Sequence, residues 1–104
     1  MYSIFIDYGR EAEYHNNYEF ICVSVESARE EVLRLINEDC LTSSDWGVKP
    51  ELPYSVSIAK LAVNERGLVV SDLSSRRILT LKPASVRALC LDITNFFNDY
   101  QEDE

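Results

Sequence analysis

The sequence predicts an α+β domain: an antiparallel sheet of about five strands, element order ββα-βββα, with two amphipathic helices packed on one face. Three observations lead there. Five short runs alternate apolar and polar residues or are rich in β-branched residues, two longer stretches repeat apolar residues at helical spacing, and each helical stretch follows a group of strands.

Residues 2–8, "YSIFIDY", set Tyr2, Ile4, Ile6 and Tyr8 against Ser3, Phe5 and Asp7, which is strand periodicity, and Gly9 ends the run. Residues 19–25, "EFICVSV", form a second strand that pairs with the first through a long hairpin loop, with Tyr8 and Phe20 as strand ends facing the core. Ser27 and Glu30 have the spacing of a capping box, in which the serine oxygen accepts a backbone N–H and the glutamate reaches back to the serine N–H. A helix is therefore predicted from Ser27 to near Asp39, with Ala28, Val32, Leu35 and Ile36 as its apolar stripe and Glu30 set to pair with Arg34.

Residues 40–53, "CLTSSDWGVKPELP", combine Ser, Asp, Gly and two prolines and read as a long loop. Trp46 within it either anchors back on the core, the preferred reading, or stands exposed as a contact residue. Residues 54–63 form the third strand and "NERG" a tight turn, with Gly67 supplying a positive φ. Residues 68–72 and 77–82 are the next two strands, joined by "LSSR" into a three-stranded meander. Pro83 suits the first turn of a second helix, along which Val86, Leu89, Cys90, Ile93, Phe97 and Tyr100 recur at helical spacing. Residues 1–100 make one globular domain, and residues 101–104, "QEDE", a solvated acidic tail.

With 104 residues, 46% apolar and 27% charged, the chain is long enough to bury one core without disulfides or metal. No run approaches the roughly 18 to 20 apolar residues of a membrane span, and the N-terminal stretch lacks the basic region of a signal peptide, so a cytoplasmic location is expected. Cys22, Cys40 and Cys90 are odd in number and set among apolar residues, which favours reduced, buried thiols.

The net charge of −8 is uneven. Residues 1–53 hold eleven Asp and Glu against four Lys and Arg, whereas residues 54–104 hold seven against six. A dipolar surface follows, and such a field governs encounter with charged partners more than it governs fold.

Residues 8–20, "YGREAEYHNNYEF", carry the densest chemistry. Gly9 and Asn16–Asn17 are turn residues, which leaves Glu11, Glu13, Tyr14, His15, Tyr18 and Glu19 as candidates. A nucleophilic triad needs a base, and only His15 is available, with no nucleophile elbow in the chain. No spacing presets a metal site, none of the three glycines forms a phosphate-cradling loop, and the carboxylates at Glu11/Glu13 and Glu30/Glu31 read as solvated surface, so no catalytic residue, cofactor or metal is assigned. Arg76, Arg77, Lys82 and Arg87 suggest a small basic stripe, but an isoelectric point near 4.6 opposes phosphate binding, and no direct nucleic-acid contact or membrane contact is expected.

Carboxylates interleaved with aromatic residues suit contact with a basic protein, since aromatics give rigid contact area and carboxylates give steering. The expected function is a small acidic, non-enzymatic protein-binding module. Its most specific form is an inhibitor or neutraliser of a basic, nucleic-acid-acting protein, in the manner of an immunity protein, an antitoxin or a phage-encoded inhibitor of host defence. Glu11, Glu13, Tyr14, His15, Tyr18, Glu19, Asp45 and Trp46 are the expected partner-binding residues. One alternative is an accessory subunit that oligomerises, a homodimer included; another is a small enzyme using His15 with a nearby carboxylate.

Overall fold

Strands β1 (Tyr2–Asp7) and β2 (Tyr18–Cys22) are antiparallel neighbours, and β1 also pairs along its other edge with β3 (Ser55–Val63). The computed structural model describes residues 1–9, 17–45, 47, 52–82 and 85–102, with the backbone alone for 40–45 and 102. The expected α+β fold is present: five antiparallel strands and two helices in the order ββα-βββα.

The second half differs from a meander. Strands β4 (Val69–Ser71) and β5 (Arg77–Thr80) both pair with β3 and lie end to end on the same edge of it. The side is fixed by hydrogen bonds: the Leu61 N–H donates to the Met1 carbonyl on the β1 edge, while Lys60 accepts from the Asp72 N–H on the opposite edge. From the Leu61↔Ser71 pair to the Ile58↔Arg77 pair the register moves three residues along β3 but six along its partner. The three extra residues form a 3₁₀ turn, Leu73–Ser75, capped by the Asp72 side chain, which accepts from the Ser74 N–H at 3.1 Å. The Ser75 hydroxyl oxygen then accepts the Lys60 N–H at 2.8 Å, so the strand edge stays satisfied across the bulge. "LSSR" is thus a bulge within one long arm of a hairpin. The "NERG" turn forms as expected, with Gly67 at φ +78° and the Asn64 side-chain oxygen accepting from the Arg66 and Leu68 N–H groups.

Helix α1 spans Val25–Asp45, starting two residues before the expected first residue and ending six residues beyond the expected end. Its cap is Ser24: the Ser24 hydroxyl oxygen accepts the Ser27 N–H at 3.1 Å and meets the Ser27 hydroxyl at 2.9 Å. Ser27 is therefore at the third helical position and Glu30 lies one turn too far along to complete the box. Arg34 pairs with Glu31 and Glu38 rather than with Glu30, and its hydrogen bond holds the Glu31 carboxyl below the usual carboxylate range. Residues 40–45, expected in a loop, are helical.

Helix α2 spans Val86–Glu102. Ser85 opens it by accepting the Ala88 N–H at 3.2 Å, and Pro83 precedes the helix and lies outside the described residues. Residues 101 and 102 continue the helix, so half of the expected tail is helical; residues 103 and 104 lie outside the described residues.

Both helices cover one face of the sheet. Ile4 and Ile6 of β1 and Val56 and Ile58 of β3 are fully buried against Ala28, Val32 and Ile36 of α1 and Leu89, Ile93 and Phe97 of α2. Alternation along the strands delivers these residues to one side, with Phe20, Cys22 and Leu79 flanking them. The Arg29 guanidinium donates to the Asn98 side-chain oxygen at 2.6 Å and ties the helices together.

Candidate functional site

The predicted site residues divide sharply. Glu11, Glu13, Tyr14, His15 and Trp46 lie outside the described residues, and Asp45 is seen only as the last backbone residue of α1. Tyr18 and Glu19 are described, and β2 sends them to opposite faces of the sheet.

Tyr18 faces the helices. Its hydroxyl donates to the Asp39 carboxylate at 3.0 and 3.1 Å, and the Tyr8 hydroxyl donates to the same carboxylate at 2.9 Å, with the two rings edge to face at 6.2 Å. Asp39 is buried, so the helix extension beyond the expected end begins at a carboxylate gripped by two phenols. The chain is also tied down where it leaves β1 and returns to β2: the Asn17 side-chain oxygen accepts the Tyr8 N–H at 2.8 Å, and the Asp7 carboxylate accepts the Gly9 N–H at 2.7 Å. Burial first, and then the hydrogen bond to Asp39 and its charge, push the Tyr18 phenol up to about 12 from an ordinary value of 10.0.

This shift has a pH consequence. A phenol whose folded value is raised contributes stability that is complete below about pH 10 and is lost as pH rises through about 12. A phenolate absorbance titration will show a late step that Tyr18→Phe removes, and alkaline unfolding between these limits will be less steep in that variant. A Tyr18→Phe titration curve with the same last step as the parent chain would contradict the assignment.

Groups suited to catalysis are not gathered elsewhere among the described residues. Burial pushes the Cys22 and Cys90 thiols up, which keeps them protonated near neutral pH, and both are free and partly buried. No group of three His, Cys, Asp or Glu among the described residues is placed to hold a metal ion. Arg76 and Arg77 are exposed at the start of β5, where Arg77 donates to the Ser74 and Arg76 carbonyls, and Lys82 follows β5. No helix among the described residues is long and apolar enough to cross a membrane.

Charge is uneven across the sheet. On β1, β2 and α1 the described residues include eight carboxylates (Asp7, Glu19, Glu26, Glu30, Glu31, Glu38, Asp39 and Asp45) against only Arg29 and Arg34. From β3 through α2 the charges nearly balance, with Lys60, Arg66, Arg76, Arg77, Lys82 and Arg87 against Glu65, Asp72, Asp92, Asp99 and Glu102, and most of the cations lie between β3 and Lys82. The strand order β2-β1-β3-β4 puts these groups at opposite ends, with α1 in contact with β1 and β2 and α2 in contact with β5.

Glu19 faces the other side of the sheet, which no described element covers. A depression of about 290 Å³ there is floored by Ser3, Ser57 and Ala59, with Phe5 beside them and Glu19 and Arg76 at its rims. Ile21 and Ile78 flank it at 60% and 55% exposure. The strand periodicity assigned only the helix-covered face; the signal for this second face was present in Phe5, Ile21, Leu61 and Val63, apolar residues at the positions that alternation turns away from the core. Asp39 gave no signal, since a carboxylate at an expected helix end reads as solvated.

Compared with known proteins, the chain matches no family model, no curated protein and no solved structure. Its surface chemistry therefore carries the functional reading.

Proposed function

We propose that this chain is a small acidic, non-enzymatic protein-binding module whose acidic end, built on β2 and the outer face of α1, receives a basic protein. The observation that carries this reading is the uneven charge along the sheet, with eight carboxylates against two cations on β1, β2 and α1, and five carboxylates against six cations from β3 through α2. Such a field orients an approaching basic surface before contact and raises the rate of productive encounter. Glu26 and Glu30 are exposed on α1 and need no rearrangement to meet it, while Glu38, also exposed, exchanges its pair with Arg34 for the partner's cation. Glu11, Glu13, Tyr14 and His15 fall between β1 and β2 in the sequence, outside the described residues, and Asp45 closes α1. The most specific form of the reading is neutralisation of a basic, nucleic-acid-acting protein, the role of immunity proteins, antitoxins and phage-encoded inhibitors of host defence. That resemblance is one of small size, acidity and the lack of a catalytic motif in the sequence.

The test is affinity capture from source-cell lysate by the immobilised chain at low and high salt, alongside a Glu26→Gln/Glu30→Gln/Glu38→Gln variant. A basic protein retained at low salt, released as salt rises, and held at least tenfold more weakly by the variant is the expected result. Retention of no basic protein, or retention indifferent both to salt and to the variant, would sink the reading.

A further inference from the structure

We propose that the uncovered face of the sheet is the interface with a second copy of this chain, forming a face-to-face sheet dimer with the helices outermost. The face is built for burial but lacks a cover among the described residues. Ser57 and Ala59 are already 6% and 4% exposed, sunk between larger neighbours, while Ile21 and Ile78 stand out beside them. A solvated sheet face would place polar residues at the positions of Ile21 and Ile78.

The choice of a second copy rests on self-complementarity. The face is acidic at one rim, Glu19 on β2, and basic at the other, Arg76 next to β5, with Ser3, Phe5, Ser57 and Ala59 between them. A two-fold axis parallel to the strands, above the seam between β1 and β3, lays β2 of one copy over the β4–β5 edge of the other and β1 over β3. Each Glu19, in the row of Ile78, then lands on the other copy's β5 edge two residues along from Arg76, a span that the long arginine side chain covers. The same operation is sterically apt, because Phe5 and Ser57 are directly paired across the seam and so exchange places: each Phe5 lands over the other copy's Ser57, large against small. A two-fold axis across the strands would instead lay β2 over β2, acidic rim against acidic rim.

Four strand rows about 4.8 Å apart, three of them strands of five to nine residues and the fourth β4 and β5 end to end, offer roughly 500 Å² per copy, or about 1,000 Å² in total, the lower limit for a specific interface. The dimer is accordingly weak, with a Kd of order micromolar or above. It leaves Glu26, Glu30 and Glu38 on the outer helical layer, so it stands or falls independently of the basic partner proposed above.

Sedimentation equilibrium of the full chain from about 1 μM to about 1 mM tests it. The mass will climb from 11.9 kDa toward twice that value. Glu19→Arg or Arg76→Glu alone will weaken the dimer about tenfold, because two symmetry-related pairs turn repulsive at once, and the double variant Glu19→Arg/Arg76→Glu will restore it to within about threefold of the parent. Ile21→Lys, at an exposed position that leaves the core intact, will leave the chain folded by circular dichroism and monomeric. A chain that stays at 11.9 kDa throughout, a double variant no tighter than the single ones, or another protein bound on this face to the monomer would overturn the proposal.

Discussion

Asp39→Ala will lower the stability of the chain by about 2–4 kcal/mol, measured by urea unfolding. The loss follows from what the carboxylate holds. It accepts one hydrogen bond from Tyr8, whose ring is 7% exposed, and a bifurcated one from Tyr18, and hydrogen bonds to a charged acceptor contribute about 1.5–3 kcal/mol each when partly buried. Alanine removes the acceptor and leaves the Tyr8 hydroxyl in a dry place. Asp39→Asn will cost less, about 1–2 kcal/mol, since one acceptor oxygen survives while the new amide hydrogens face phenolic donors. A double-mutant cycle with Tyr8→Phe separates the contact from general disruption: removing both partners will cost about 1–2 kcal/mol less than the two single changes together. A cost below about 0.5 kcal/mol for Asp39→Ala would mean that the phenols find water instead.

The largest loss is expected at Phe97→Ala. Phe97 is fully buried on the inner face of α2, edge to face with Phe96 at 5.2 Å and inside the cluster formed by the sheet and α1. Truncating a buried phenylalanine removes its transfer free energy and leaves a cavity, together about 3–5 kcal/mol. In a domain of this size that corresponds to a fall in Tm of roughly 15–30 °C, and against a total stability of about 5–15 kcal/mol it brings the fold close to its limit. Leu91→Ala, 61% exposed on the same helix, will change stability by no more than about 0.5 kcal/mol. Equal losses at the two positions would contradict the orientation of α2.

The contrast between these two residues shows what was legible in the sequence. Phe97 belongs to a stripe that repeats every three or four residues, and periodicity assigns it to the core without further information. Ile4, Ile6, Val56 and Ile58 were equally readable from alternation. The failures occurred where local chemistry is ambiguous. "LSSR" between two β-branched runs is an acceptable hairpin turn or an acceptable bulge, and only the pairing of Lys60 with both Asp72 and Ser75 decides for the bulge. Residues 42–45, "TSSD", are weak helix formers, so propensity ended α1 near Asp39; the tertiary grip of Tyr8 and Tyr18 on Asp39 overrides it. Ser24 and Ser27 both precede good helix formers, and a capping box was read one turn late because Glu30 sits at the expected spacing from the wrong serine.

For the site, the acidity of residues 1–53 was plain in the sequence, but its place opposite the cations of β5 required the strand order. Glu19 was singled out for charge alone. Its pairing row with Phe5, Ser57 and Ile78 makes it the rim of an apolar face, a property of three strands that no single segment displays.

The central claim is that the acidic β2–α1 end is where a basic protein docks. Amide NMR of the labelled chain, titrated with the basic protein that it retains at low salt, tests this most directly. The account predicts that resonance changes will concentrate on Glu26, Glu30, Glu38 and their neighbours on α1, and will weaken together as salt is raised. Changes confined to Arg66, Arg76, Arg77 and Lys82, at the opposite end of the sheet, would contradict it.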